Sequence, residues 1–294
     1  MPERWNKSTH TFIAIFGEIT VTLEDVDVAT LLPILGDLDP RTVNLDADEQ
    51  AIEASLLAAH SKISAGKKFN NAKTVKLFNW LQCYGKLDSD IVVLHRRAIL
   101  VLLWLSKFVF GGFPGDRVLI ELVRVDIKLF RGFSLPLAPL VLGTLYHQLD
   151  TFFDDEMEGG GFFLIETVVC YPLLHGGFTL GGYPHACLWI SKKVSVVEYN
   201  RLYTVFDDIK EFTWQPYYDS PDYVIQPRIS SILMPTGSAP GEITVTDADL
   251  SLLEAYVCVT PRPLPFLSLA GSFGVTSYRL DRVMRQFGHD QGIQ

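Results

Sequence analysis

The stretch from Ile91 to Phe110 sets the tightest limit on what this chain can become. Its centre, Ala98–Leu105, is unbroken apolar sequence, yet His95, Arg96, Arg97 and Lys107 are threaded around it. A bilayer-spanning helix needs about 18–20 consecutive apolar residues, and a central arginine costs about 2.5–3.5 kcal/mol on insertion scales. A membrane span is therefore not expected, and so apolar a helix is read as a buried core helix. The chain can build such a core. Of its 294 residues, 48% are hydrophobic and 12% aromatic, and a domain of this length buries roughly three quarters of its unfolded surface. A charged fraction of 20% argues against disorder. The opening MPERWNKSTH has no apolar h-region, so no secretory signal is expected.

Around this helix the hydrophobic pattern switches period. Phe12, Ala14 and Phe16 alternate with Ile13 and Ile15, Gly17-Glu18 interrupts, and Ile19-Thr20-Val21 resumes, which predicts a β-hairpin. Thr22-Leu-Glu-Asp25 then resembles a capping box ahead of Val26, Ala29, Leu31 and Leu32, and Pro33 and Gly36 end that helix. Asp46–Glu49 caps a second helix with Ile52, Leu56, Ala59 and Ile63 at helical spacing, up to Gly66. Val75, Phe78 and Leu81 mark a short one before Gly85, and Asp88-Ser-Asp90 can cap the long apolar helix, closed by Gly111–Asp116. Leu119, Leu122, Val123, Ile127 and Phe130 give the next helix, stopped by Gly132. Ser134 can cap another through Leu137, Val141, Leu145 and Leu149, with Pro136 in its first turn. Asp150–Gly161, acidic and then glycine-rich, reads as an exposed loop.

Further along, Phe162–Leu174 is apolar without clean periodicity, and Gly176–Pro184 is a turn-rich connection. Val194–Ile209 reads as helical, Phe212–Gly241 as irregular with one or two short strands, and Ala248–Val257 as a helix capped by Thr246. Pro261–Pro265 is extended, and Tyr278–Phe287 reads as a last short helix. With no internal repeat and no low-complexity linker, the expectation is one domain over residues 1–294. It is mainly α, with an N-terminal β-hairpin and a few short strands in the C-terminal third.

No pattern in the chain assembles a reactive centre. P-loop, nucleophile-elbow and zinc-protease signatures are absent. Ser64-Ala-Gly-Lys67 matches S-x-x-K, but at a helix C-terminus beside Lys68 it reads as a solvated end favoured by the helix dipole. Asp154, Asp155, Glu156 and Glu158 are contiguous, whereas calcium loops need alternating ligands. His175 and His185 lack a third ligand at telling distance. Cys83, Cys170, Cys187 and Cys258 are widely spaced, which argues for reduced buried thiols over disulfides or zinc. No lysine is marked as a buried nucleophile for pyridoxal phosphate, and Gly159–Gly161 follows acids, a poor setting for a phosphate. The expectation is no enzyme and no cofactor. A formal net charge of −9 opposes a broad phosphate-binding surface.

The segment Tyr278-Arg-Leu-Asp-Arg-Val-Met-Arg-Gln-Phe-Gly-His-Asp-Gln-Gly-Ile293 resembles the closing motif of the plant mobile domain family, Tyr-x-Pro-x-Arg-Val-x-Arg-Gln-Phe-Gly-x-Asp-Gln-x-Ile-Pro. Arg4-Trp5, Thr9-His-Thr-Phe12 and Phe16–Val26 are similar to the family's opening hairpin and first helix. Leu103–Phe110 is similar to its central helix, Leu135–Leu149 to its "LAP…LY" helix, and Phe212-Thr-Trp-Gln-Pro-Tyr217 to its "F-x-W-x-P-Y" segment. The landmarks follow one another in family order along nearly the whole chain. Two departures stand out: Leu280-Asp281 replaces the usual proline before the closing arginine, and Phe162–Cys187 differs from the family's Trp-rich helix. The resemblance implies that the family's most N-terminal helices are lacking here.

The family is often labelled aminotransferase-like. The resemblance implies a domain carried both by plant mobile elements and by nuclear host proteins of the MAINTENANCE OF MERISTEMS type. Those host proteins act in transposon silencing, gene expression and meristem maintenance, and some work with a phosphoprotein phosphatase-like partner bearing a similar domain. The reading that follows is a non-enzymatic nuclear module that binds protein partners. Trp214, Tyr217, Arg282, Arg285, Gln286, Asp290 and Gln291 are the candidate contacts, because aromatics and arginine dominate interface hot spots. Internal pairing with carboxylates is the competing reading for Arg282, Arg285 and Gln286. A nucleic-acid-binding domain of a mobile element is the first alternative function, and a transferase-type enzyme is the disfavoured second.

Overall fold

Capping residues and apolar spacing place most of the helices where the sequence puts them. The computed structural model describes residues 4–64, 68–69, 72–73, 75–84, 93–110, 117–157, 208–211, 262–268 and 271–283, and these are mainly helical. Three short strands open the fold: β1 (Trp5–Asn6), β2 (Thr11–Ala14) and β3 (Gly17–Ile19). They form an antiparallel sheet in that order, with Phe12 opposite both Trp5 and Ile19. The expected hairpin is β2–β3; alternation buries Phe12 and Ala14 and leaves Ile13 and Ile15 in solvent. Thr22 then caps α1 (Leu23–Thr30). Its hydroxyl accepts the Asp25 N–H while the Asp25 carboxylate accepts the Thr22 N–H, so two orphan donors are satisfied reciprocally.

The same device starts α2 (Ala47–Ser64): the Glu49 N–H donates to Asp46 Oδ1 at 2.8 Å and the Asp46 N–H to Glu49 Oε2 at 2.9 Å. That buried Glu49 carboxylate also accepts Lys128 Nζ at 2.6 Å, and the ammonium lies 5.0 Å from the Phe133 ring centroid. A small ladder, β4 (Lys68–Phe69) with β5 (Ala72–Lys73), precedes α3 (Leu77–Tyr84). Here the expected apolar face is corrected. Val75, Leu77 and Trp80 are buried, whereas Phe78 and Leu81 point outward.

Helix α4 (Val93–Trp104) continues into a π turn, Leu105–Val109, closed by the Phe110 N–H donating to the Leu105 carbonyl. Ser106 is the local cause. Its hydroxyl donates to the Leu102 carbonyl at 2.7 Å and accepts the Leu119 N–H at 2.9 Å, inserting a side chain into the helical ladder. A 3-10 turn (Ile120–Leu122) leads into α5 (Val123–Phe130), which ends before Gly132 at φ 94°.

Helix α6 (Leu137–Met157) runs 21 residues through the core, about 30 Å. Two expectations fail at its ends. Ser134 does not cap it: the Ser134 hydroxyl donates to the Leu35 carbonyl, its N–H to Asp37, and the Ala138 N–H finds the Pro33 carbonyl at 3.0 Å. The supposed acidic loop is helical as far as Met157. Helical spacing sets Asp150 and Asp154 on one face, where they meet Trp5 and Lys7 of the N-terminal segment.

Strands β6 (Arg262–Leu267) and β7 (Phe273–Tyr278) pair antiparallel across α6, which bears out the extended proline run. Gly143 permits the approach, because a Cβ there would lie 2.1 Å from the Pro265 carbonyl oxygen. Thr144 fixes it, its hydroxyl accepting the Leu267 N–H at 3.0 Å. The start of the expected Tyr278–Phe287 helix is corrected: Tyr278 closes β7 and Leu280–Arg282 forms a 3-10 turn, while residues 284–287 lie outside the described residues. The expected cap at Asp88–Asp90, the stop at Gly111–Asp116, and the segments Phe162–Leu174, Gly176–Pro184, Phe212–Gly241 and Ala248–Val257 lie outside the described residues. So does the Val194–Ile209 helix except at its end, where Ile209–Glu211 forms a 3-10 turn.

Candidate interaction surface

Two places gather functional side chains, one sealed and one open. The sealed one lies where α6 meets both ends of the described chain. His10 sits at its centre with φ 54°, a left-handed backbone that a non-glycine residue adopts only when its surroundings hold it there. The holding contacts are visible. The His10 N–H donates to the Asn6 carbonyl at 2.7 Å, and the Thr20 hydroxyl donates to the His10 carbonyl at 2.6 Å. The imidazole stacks on Tyr146 at 5.1 Å. Its Nδ1 lies 2.8 Å from the Ser277 carbonyl, so Nδ1 is the donor there, while Nε2 lies 3.1 Å from both Asp150 Oδ2 and Thr276 Oγ1.

This cluster contains the ingredients of a nucleophile–base–carboxylate relay, but in the wrong arrangement. A relay needs the hydroxyl and the orienting carboxylate on opposite ring nitrogens. Here Thr276 and Asp150 share Nε2, and a main-chain carbonyl occupies Nδ1. Asp150 is further committed by accepting the Trp5 indole N–H at 2.8 Å. Two buried tyrosines complete the cluster. Tyr146 donates to the Val21 carbonyl at 2.6 Å, and the Tyr278 hydroxyl accepts the Leu23 N–H at 3.2 Å. Burial pushes both phenols well above the ordinary tyrosine pKa, so neither ionises at physiological pH. The arrangement joins chain segments.

The open place is the outer face of α4 and its π turn. Ala98, Ile99, Leu102, Leu105 and Ser106 are buried, as a core helix requires. Leu100, Trp104 and Phe108 are not: they are 57%, 41% and 73% exposed. Spaced four residues apart, they line one side of the helix, with exposed Arg97 above and exposed Lys107 beside Phe108. The reading of this stretch as a buried core helix holds for one face of α4 and is corrected for the other. Single exposed apolar residues are ordinary, whereas three large ones in a row form a contiguous apolar patch.

Of the residues expected to make contacts, Arg282 is the one described. Its Nε donates to Glu18 Oε2 at 3.0 Å, its Nη2 pairs with Glu18 Oε1, and Glu18 Oε2 also accepts the Thr11 hydroxyl. It is therefore engaged in tying the C-terminal segment to the N-terminal sheet. Trp214, Tyr217, Arg285, Gln286, Asp290 and Gln291 lie outside the described residues. Of the S-x-x-K pattern, Ser64 is buried and its hydroxyl donates to the Ser61 carbonyl at 2.9 Å. Among the described residues no group of three or more His, Cys, Asp or Glu is placed to hold a metal ion, and no helix is long and apolar enough to cross a membrane. The α4 stripe was missed because an all-round apolar helix hides its solvent face; the one available signal was Arg97 set at helical spacing from Leu100 and Trp104.

The ends that meet around His10 are the segments carrying the family landmarks, Arg4-Trp5 and Thr9–Phe12 at one end and Tyr278–Val283 at the other. Comparison with known proteins agrees. The chain is 28% identical over 249 residues to Protein MAIN-LIKE 1 of Arabidopsis thaliana, an alignment covering 79% of this chain and 47% of that protein. It thus spans about half the length of the curated relative it matches. No solved structure matches it. The plant mobile domain family model matches residues 1–294, and the chain belongs to that family.

Proposed function

We propose that this plant mobile domain is a non-enzymatic protein-interaction module of the nucleus, and that the outer face of α4 is where it docks. The observation that carries the proposal is the row Leu100, Trp104 and Phe108, three large apolar side chains held in solvent on a rigid, core-anchored helix. Ordering such side chains costs little on binding, because α4 is already packed on its other side against α5. Silencing of mobile elements, control of gene expression and meristem maintenance are the processes in which the module acts. A phosphoprotein phosphatase-like protein with a similar domain is a candidate partner.

The test is affinity capture from plant nuclear extract with the native chain and with the triple variant Leu100→Ser, Trp104→Ser, Phe108→Ser. The native chain should retain a defined set of proteins that the variant loses, with circular dichroism unchanged. Identical protein sets on both baits would remove α4 from consideration. A fluorescent fusion excluded from nuclei would remove the nuclear assignment.

A further inference from the structure

We infer that the partner segment seated on α4 is an acidic amphipathic helix; this rests on the docking role proposed above and adds the chemistry of the occupant. The argument is charge complementarity. Arg97 and Lys107 border the aromatic stripe, both are exposed, and neither makes an ion pair with any of the described residues. On a chain of net charge −9 this is a local reversal of sign. Some cations elsewhere are paired, Lys7 with Asp154, Arg41 with Asp39 and Arg124 with Glu53; what sets Arg97 and Lys107 apart is that they flank the exposed row Leu100, Trp104 and Phe108. A face with apolar residues four apart, between two exposed cations, is complementary to a helix with apolar residues at the same spacing flanked by glutamates or aspartates.

Rival occupants fit the face less well. A second copy docking antiparallel through the same stripe would set Arg97 of one chain toward Lys107 of the other, like charge against like. Nucleic acid affinity grows with the number of phosphates neutralised. Two cations supply little of it, and the chain's net charge of −9 opposes it.

The probe is a fluorescein-labelled synthetic peptide of about 16 residues, helical, with Leu and Trp on one face and Glu on its flanks. Its counterpart has every Glu changed to Lys. Anisotropy titrations use the whole chain. The acidic peptide should bind at least about tenfold more tightly than the basic one, a difference of about 1.4 kcal/mol, and the preference should shrink as salt rises. The double variant Arg97→Glu, Lys107→Glu should reverse the preference, and Trp104→Ser should weaken both peptides. Equal binding of the two peptides, or a preference unmoved by charge reversal, overturns the inference. So does self-association seen by analytical ultracentrifugation and abolished by Trp104→Ser, or a photoreactive residue at position 104 that crosslinks only within its own chain. If nuclear proteins are captured through α4 while the acidic peptide fails, the docking role stands and only the occupant is wrong.

Discussion

Trp5 and Trp104 occupy opposite kinds of surroundings within one fold. Trp5 is 3% exposed, its indole N–H is donated to Asp150, and the rings of Phe12 and Tyr146 pack 4.8 and 5.8 Å away. Trp104 keeps 41% of its surface in water and has the still more open Leu100 and Phe108 as neighbours along the helix. Around Trp5, aromatic and polar side chains satisfy one another, and the product is cohesion. Along α4 the same residue types are left unsatisfied on a helix whose other face is fully packed, so their cost in solvent is offset only if something covers them. The contrast teaches that residue type alone does not identify a functional surface. What separates the two regions is whether the hydrogen bonds and apolar contacts close within the chain.

Truncating Trp5 should cut deepest into this contrast. Trp5→Ala removes a buried ring and orphans part of Asp150, so chemical denaturation should show a loss of about 3–5 kcal/mol; a loss like that of an exposed tryptophan would mean the junction is not sealed. Gly143→Ala drives a methyl into the Pro265 carbonyl and should cost about 1–3 kcal/mol as α6 and β6 are forced apart. Tyr278→Phe leaves the Leu23 N–H without its acceptor and should cost about 1–2 kcal/mol in the same assay.

Asp126 gives a pH-dependent effect of opposite sign. It is fully buried on α5, both its oxygens lack a hydrogen-bond partner among the described residues, and desolvation holds its carboxyl well above the usual carboxylate range. The unfolded chain ionises this group at the ordinary value and the folded chain only at higher pH. Its contribution to stability is therefore fully present below the ordinary carboxylate pKa and is lost as pH rises toward the raised folded value. Asp126→Asn should be more stable than the native chain at neutral pH, and the two should converge near pH 4 (about the ordinary carboxylate value). A constant difference across that range would show a partnered carboxylate. Smallest of all, Leu100→Ser with Trp104→Ser and Phe108→Ser should move stability by no more than about 0.5 kcal/mol each while abolishing association. A large stability loss would place these side chains in the core.

Local chemistry was the legible part. The capping boxes at Thr22–Asp25 and Asp46–Glu49, the stop at Gly132 and the extended run through Pro263 and Pro265 all act within a few residues of themselves, and all were readable in advance. Faces were harder. Leu77, Phe78, Trp80 and Leu81 make α3 apolar nearly all round, so either side could have been inward, and packing against α2 and α4 decided it. Net charge misled at Asp150–Met157, where acidity suggested a loop although Asp150 and Asp154 have partners 140 or more residues away. Arg282 illustrates the same limit: its role depends on Glu18, 264 residues earlier.

The meeting of His10 with Ser277, 267 residues apart in sequence, also sets an order of events in the cell. At about 5–20 residues per second, a ribosome delivers the second segment roughly 10–50 s after the first. Throughout that interval the N-terminal sheet lacks the strand that caps it, with Trp5, His10 and Phe12 accessible to chaperones and to premature strand pairing. Final closure of the fold is thus a late step with long loops to gather, and such topologies fold slowly. Early termination anywhere before β7 would release a polypeptide whose opening strands have no place to lock.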